Sequence, residues 1–413
     1  MTLLKSVSRV RLGAASVALA WAVAFGLSLN TIQSSQAQTF TVLHSFTGAS
    51  DGAYPYAGLL RDTSGNLYGT TAVGGSSNQG TVFEVDASGT ETVLHSFSGT
   101  DGINPYAGVI MDAKGDLYGS TQYGGSGCSG TGCGTVFELT PKAGGGWTET
   151  VLFEFAFNPH GAYPFGLIRD AKGDLYGATE AGGTGSNIEG TVFKVSTAGK
   201  ETVLHSFTGS PSDGAFPELA GVVMDANGDL YGDTFEGGDS QSSAGVVYRL
   251  AKSGALTVLY SFSGGADGFA PMGTPVMDKH GNLYGTTYRG GSFGYGCVWK
   301  LSQKGKETVL HSFVGGELDG SLPEAGVVLD AQGNLYGVTT EGGSGSGTAC
   351  GKDGCGTVYE LSKDGTLTLL HRFTGSDGEY PVGGLILDAN RNLYGTAQYG
   401  GSDDYGTVWK LTP

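Results

Sequence analysis

The string Asn/Asp-Leu-Tyr-Gly returns seven times, with its tyrosine at Tyr68, Tyr118, Tyr176, Tyr231, Tyr284, Tyr336 and Tyr394 and spacings of 50 to 58 residues. A period of that length confines the chain to an architecture that iterates one supersecondary unit. Each copy runs on into a Gly-Gly pair, from Gly74-Gly75 to Gly400-Gly401. A Gly-Thr-Val-Phe-like segment follows (Gly80 to Phe83, Gly406 to Trp409), then a Thr-Val-Leu-His-Ser-Phe-like one (Thr92 to Phe97). The 76 glycines would signal disorder in an aperiodic chain, but here they recur in phase and read as turns.

Each unit holds four short runs rich in Val, Leu, Tyr, Phe and Thr, bounded by Gly, Asp, Asn and Pro, the pattern of short strands joined by turns. In the first unit these are 58–62, 66–71, 80–85 and 91–97. The turn Asp62-Thr63-Ser64-Gly65-Asn66 recurs as Asp-x-x-Gly-Asn/Asp in six copies, with Arg391 in place of the glycine in the last. An Asp that bonds its own backbone, followed by a residue at positive φ, accounts for this turn without a ligand. Four strands per repeat and seven repeats predict an all-β, seven-bladed β-propeller of four-stranded blades. The phase of the repeat predicts its closure. Residues 39–46 copy a fourth strand with no first three, and Gly406 to Leu411 copy a third strand with no fourth. Pairing them completes the last blade and removes two sheet edges.

At these residues the chain resembles the Gloeobacter/Verrucomicrobium ("GloVer") tandem-repeat proteins, over essentially all of 39–413. The resemblance implies an extracytoplasmic repeat domain and carries no established activity. Residues 1–37 agree with export. Lys5, Arg9 and Arg11 precede an apolar stretch from Gly13 to Leu29, and Ser35-Gln36-Ala37 offers a signal-peptidase site. An uncleaved anchor is the competing reading, since about 18 apolar residues nearly span a bilayer. No second hydrophobic segment follows, so we expect a signal peptide and then one propeller domain over 38–413, secreted, periplasmic or at the cell surface. The formal charge of −17 argues against nucleic-acid and anionic-membrane partners. We expect a monomer.

Positions alike in every copy are expected to be scaffold. His44, His95, His205, His311 and His371 share one place in the fourth strand, with Glu154 and Tyr260 assigned to it in the other blades. Strands about 4.8 Å apart put such outer residues roughly 17 Å from their neighbours, too far to share one metal. Asp51, Asp101, Asp213, Asp267, Asp319 and Asp377 precede a glycine in the loop before the innermost strand, with His160 in the third blade. They suit tight turns; calcium in individual loops is the competing reading, and no other cofactor is expected. The glycine pairs lack the Lys-Ser/Thr of a phosphate loop. Cys128 with Cys133, and Cys350 with Cys355, read as disulfides stapling lengthened loops. Cys297, at a threonine position, reads as a buried free thiol.

Varying positions on the loop face are the candidates for recognition. After the loop proline stand Tyr56, Tyr106, Phe165, Glu218, Met272, Glu324 and Val382, and before Gly-Gly stand Val73, Tyr123, Ala181, Glu236, Arg289, Glu341 and Tyr399. Aromatic faces stack on sugars or peptides, and carboxylates accept their hydrogen bonds. The expectation is a non-catalytic binding or scaffold propeller for a glycan, a peptide or a surface protein. The alternative is a propeller lyase or lactonase with a metal at the channel mouth, for which Glu218, Glu324 and Arg289 are the nearby charged residues.

Overall fold

A computed structural model describes residues 38–412 except 185–187, 212, 218–220, 240, 344–349 and 351–352. The signal-peptide reading of 1–37 lies outside the described residues. Seven four-stranded antiparallel sheets form a seven-bladed β-propeller. Blade 1 contains Leu60–Arg61, Leu67–Thr71, Thr81–Val85 and Glu91–Ser96 in that order from the axis outward. The innermost strands are shorter than the sequence suggests, two residues in six of the blades, while blade 5 extends its own over Phe269–Met277. Their glycines explain why. A Cβ on Gly58 would lie 2.7 Å from the Gly384 carbonyl oxygen, and one on Gly108 2.6 Å from that of Gly58, so backbone meets backbone around the axis. One helical turn, Phe157–His160, departs from the all-strand expectation, and among the described residues no helix is long and apolar enough to cross a membrane.

The ring closes as the repeat phase predicts. Thr39–Ser45 pairs antiparallel with Thr407–Thr412, so the N-terminal strand is the outer strand of blade 7. Phe40 stacks flat on His371 at 3.6 Å and touches Phe373 and Trp409. Phe46 is fully buried against Phe83. Each blade repeats that contact; Phe97 meets Phe137 and Phe313 meets Tyr359.

Neighbouring blades are joined by a contact that repeats seven times. The residue before the loop proline (Tyr54, Asn104, Tyr163, Phe216, Ala270, Leu322 and Tyr380) lies at φ of 52° to 63°, a left-handed conformation that costs a side chain about 1–3 kcal/mol. Its N–H donates to a carbonyl of the preceding blade, as Tyr54 to Tyr405 at 2.8 Å and Leu322 to Tyr295 at 2.9 Å. The proline then covers the glycine that opens the preceding blade's third strand. A Cβ on Gly80 would meet Pro105 Cδ at 2.5 Å, and one on Gly406 would meet Pro55 Cδ at 2.5 Å. Deeper in, the hydroxyls of Thr70, Ser120, Thr286 and Thr396 donate to Ala107, Phe165, Ala325 and Ala57 of the next blade.

Blade 4 carries Asp233 at that hydroxyl position. It is fully buried and neither carboxylate oxygen has a hydrogen-bond partner. Burial pushes its pKa well above the ordinary carboxylate value. A group raised in the folded state is unfavourable to folding above its unfolded pKa. Asp233→Thr is therefore expected to stabilise the protein by about 1–3 kcal/mol at pH 7, with the gain fading near pH 4, measured by denaturant melts at both pH values. Phe46→Ala is expected to cost about 3–5 kcal/mol, the same as is expected of Phe97→Ala in blade 1; an unchanged stability would mean that the N-terminal strand is not part of the ring.

Candidate functional site

The short inner strands leave room at the axis on the loop face. There a cavity of about 350 Å³ is floored by Gly58, Gly108, Gly166, Gly221, Gly326 and Gly384. Its walls include Tyr56, Tyr106, Phe165, Glu324 and Val382, five of the seven residues that follow the loop prolines. The strained residue before each proline turns the chain so that the one after it borders the axis. Tyr56 and Tyr106 meet edge to face at 5.0 Å. Phe165 and Met272 are buried, and Met272 is not among the wall residues. Glu218 lies outside the described residues.

The residues before Gly-Gly form a second tier on the same face. Each pairs through its backbone with the loop two residues before the proline: Val73 with Ala53, Tyr123 with Ile103, Ala181 with Ala162, Glu236 with Ala215, Arg289 with Phe269, Glu341 with Ser321 and Tyr399 with Glu379. Tyr399 contacts Tyr54 at 5.2 Å and Tyr380 at 5.9 Å, and Tyr123 contacts Tyr163 at 5.1 Å. Burial, and then the nearby Tyr399, raise the pKa of Tyr106; Tyr123 is raised by burial and by Glu180, Tyr163 and Tyr106. The tyrosines of blades 7, 1 and 2 thus form one crescent beside the cavity. The other sector is charged. Glu341 is raised by burial, with Asp353 adding to the shift and Arg289 opposing it, and the exposed Arg289 lies over the Tyr288 ring at 5.1 Å.

The repeated histidines and repeated aspartates prove to be two halves of one pair. His95 Nε2 lies 2.9 Å from Asp101, and the pairs His205–Asp213, His311–Asp319 and His371–Asp377 span 2.8, 3.1 and 3.0 Å. His44–Asp51 is looser at 3.6 Å, and in blade 4 the Tyr260 hydroxyl donates to Asp267 at 2.9 Å. The remaining lone pairs take loop donors; Asp101 accepts from the Ser98 N–H and hydroxyl. Against burial, the bonds from His95 and Ser98 hold the Asp101 carboxyl down at about 2. Blade 2 corrects the sequence assignment. Phe153, not Glu154, pairs with Val136 as His95 pairs with Val82. Glu154 instead takes the next place, that of Ser96, and accepts from the Ser126 N–H at 2.8 Å. The loop histidine of that seam, His160, bonds Glu201 of blade 3 at 2.9 Å.

Both disulfides form, Cys128–Cys133 and Cys350–Cys355, with Cα atoms 5.5 and 5.2 Å apart. Cys297 is a buried free thiol 3.2 Å from the Thr287 hydroxyl, where other blades place a Thr–Thr pair. Burial pushes its pKa up to about 12, so it is not a nucleophile.

The sequence profile of the Gloeobacter/Verrucomicrobia repeat matches residues 28–241 and 185–349. No curated protein sequence matches the chain. Among solved structures, the extracellular domain of a putative hybrid two-component system from B. thetaiotaomicron aligns at a TM-score of 0.54 and 10% identity over 90% of this chain and 39% of that one. Puromycin hydrolase aligns at 0.54 and 12% identity over 85% of this chain and 51% of that one. A gluconolactonase from Xanthomonas campestris aligns at 0.41 and 16% identity over 73% and 82%. The chain thus spans about half or less of the length of the first two. At these identities the likeness is one of fold.

Among the described residues no three His, Cys, Asp or Glu side chains gather as a metal-binding group. The loop aspartates already hold partners in fixed turns. Millimolar calcium is therefore expected to leave the melting temperature within about 1 °C of that in chelator; a saturable rise, abolished by Asp101→Asn or Asp377→Asn, would place calcium in those loops.

Proposed function

The chain belongs to the Gloeobacter/Verrucomicrobia repeat family, and from that premise we propose that it is an exported, non-catalytic binding propeller whose channel mouth takes the end of a glycan. The observation that carries this reading is the crossed pair Tyr56–Tyr106 at 5.0 Å standing over a cavity floored by glycine. A cavity of about 350 Å³ is at the small end of ligand sites. Its aromatic walls offer flat, rigid surface to the C–H face of a sugar ring. Glu324 offers an acceptor to hydroxyl groups, and glycine flooring lets backbone amides and carbonyls approach the ligand closely. Tyr123 and Tyr399 extend the aromatic surface outward, for the residues beyond the sugar at the tip.

Export is supported by the two disulfides, which persist in oxidising compartments, together with the basic and then apolar N-terminal sequence. The propeller lactonase, the rival reading, would draw its carboxylates from Glu324 and Glu218, and lactone hydrolysis abolished by Glu324→Gln would establish it.

The binding reading is tested on a glycan array with the wild-type chain and with Tyr56→Ala, Tyr106→Ala and Tyr399→Ala. At about 0.5–1.5 kcal/mol per stacked ring, each single change is expected to weaken binding roughly threefold to tenfold and the triple change to remove it. Binding unchanged by the triple substitution would reject the tyrosine mouth as the site.

A further inference from the structure

The fourth strands hold a second repeated position, four residues before the histidine. It is Glu91, Glu149, Glu201 and Glu307 in blades 1, 2, 3 and 5, and Leu256, Leu367 and Phe40 in blades 4, 6 and 7. Because the blades twist, this residue faces the end of the preceding blade's fourth strand, where the His–Asp pair sits. The contact is direct in one seam, His160 with Glu201, and aromatic in another, where Phe40 lies on His371 at 3.6 Å. In three seams, Glu91 faces Asp51, Glu149 faces His95 with Asp101, and Glu307 faces Asp267. In each of these three, as at Glu201, the glutamate Oε1 is buried without a hydrogen-bond partner, and only Glu201 has a histidine bonded to its other oxygen. A half-buried carboxylate with an orphaned oxygen, beside another carboxylate, is a conflict that protonation removes.

We propose that Glu91, Glu149 and Glu307 are acid-operated latches of the propeller ring, closing their seams when protonated and loosening them when ionised against the aspartate of the preceding blade. The other seams carry their own contrast. Leu256, Leu367 and Phe40 have no proton to exchange, and Glu201, though burial raises it too, has the His160 ring bonded to its Oε2 in place of a facing aspartate.

The titration runs in the direction the geometry requires. Burial, and then Asp51 or Asp267, raise Glu91 and Glu307 to about 7, and burial raises Glu149 despite His95. Carboxyls raised in the fold contribute stability that is full below their unfolded value, 4.5, and lost as pH climbs through about 7. Asp101 and Asp267 act at lower pH, since Asp101 sits at about 2 and Asp267 is held down by Ser263 and Tyr260 against burial. His44 works in the opposite sense, because burial lowers its pKa and its contribution is lost as pH falls below 6.5. The seam between blades 4 and 5 is therefore the clean case. It holds Tyr260 in place of histidine, and both Tyr260 and the nearby Cys297 titrate far above the window, Cys297 at about 12.

The test is the melting temperature of the full chain from about pH 5 to pH 8 for wild type, Glu307→Gln and Glu91→Gln. The wild type is expected to lose stability across that range. Glu307→Gln, the neutral isostere, is expected to match it near pH 5 and to melt about 2–4 °C higher near pH 8. A second readout does not depend on stability. The wild type near pH 6 should show an infrared protonated-carboxyl band that is weaker in the Glu307→Gln difference spectrum, with Glu91→Gln as the substitute should Glu307→Gln not fold. An identical pH profile in wild type and variant, or no carboxyl band lost on substitution, would overturn the latch. Neither result bears on glycan binding at the mouth.

Discussion

A proline ring lies on a glycine at every joint between blades, and the ring of blades depends on that contact. The third strand of one blade must begin where the loop of the next passes, and no side chain fits between them. At Gly80, Gly134, Gly190, Gly245, Gly296, Gly356 and Gly406 a Cβ would come within 2.5–2.7 Å of the following blade's proline. The residue before that proline is driven into left-handed φ so that its N–H reaches the preceding blade. Proline normally keeps its predecessor extended. The strain is held by a bond that exists only when the neighbouring blade is in place. Blade and ring therefore form together, and a single blade would have no reason to keep the turn.

This explains which parts of the fold were legible in the sequence. Where the backbone demands a residue type, the copies display it: glycine at the head of the third strand, proline in the loop and aspartate in the first turn in all seven, and the first-turn glycine in six. Asn66 N–H bonds Asp62 at 2.8 Å and Gly65 lies at φ 97°, as that turn requires, and Arg391 takes φ 66° where the glycine is missing. Closure was legible for the same reason, since the phase of the repeat left one strand over at one end and one short at the other. The left-handed residues were not, because the neighbouring blade enforces their conformation and their own chemistry does not. Tyr54, Asn104, Ala270 and Leu322 share φ without sharing a side chain. The His–Asp pairs were visible only as two separate repeats, since nothing in linear order says that a strand end and a loop six to eight residues on will meet. Blade 2 hid its register because Phe153 replaces histidine and the neighbouring Glu154 imitates a polar substitute.

The same division separates scaffold from candidate site. Glycine and proline satisfy the backbone, so the residues immediately after proline and before Gly-Gly are released from any structural duty common to all blades. They diverge by sector. Blades 7, 1 and 2 gather Tyr399, Tyr56, Tyr106 and Tyr123, whereas blades 4 to 6 place Glu236, Arg289, Glu324 and Glu341 around the opposite side. The site residues were legible as variable positions, and their grouping was not. It follows from the order of blades around a closed ring, in which blade 7 stands beside blade 1 although their tyrosines lie more than 300 residues apart in sequence.

Closure also bears on the seam whose latch position holds an aromatic ring, that of Phe40. In blades 1 to 6 the outer strand follows the third through a short turn, and its docking costs little additional loop entropy. In blade 7 the outer strand arrives from the far end of the chain, so the whole ring must form before it docks. A buried charge there would oppose the one association that local connectivity does not assist. Phe40 instead supplies apolar area to Phe373 and Trp409 and stacks on His371, and the adjacent Phe46 fills the core of the following seam. The seams that can tolerate a titrating glutamate are those whose outer strand is already tethered by its own hairpin. The seam that completes the circle has no titrating carboxylate at that position and is held there by the packing of Phe40 on Phe373 and Trp409 as well as on His371.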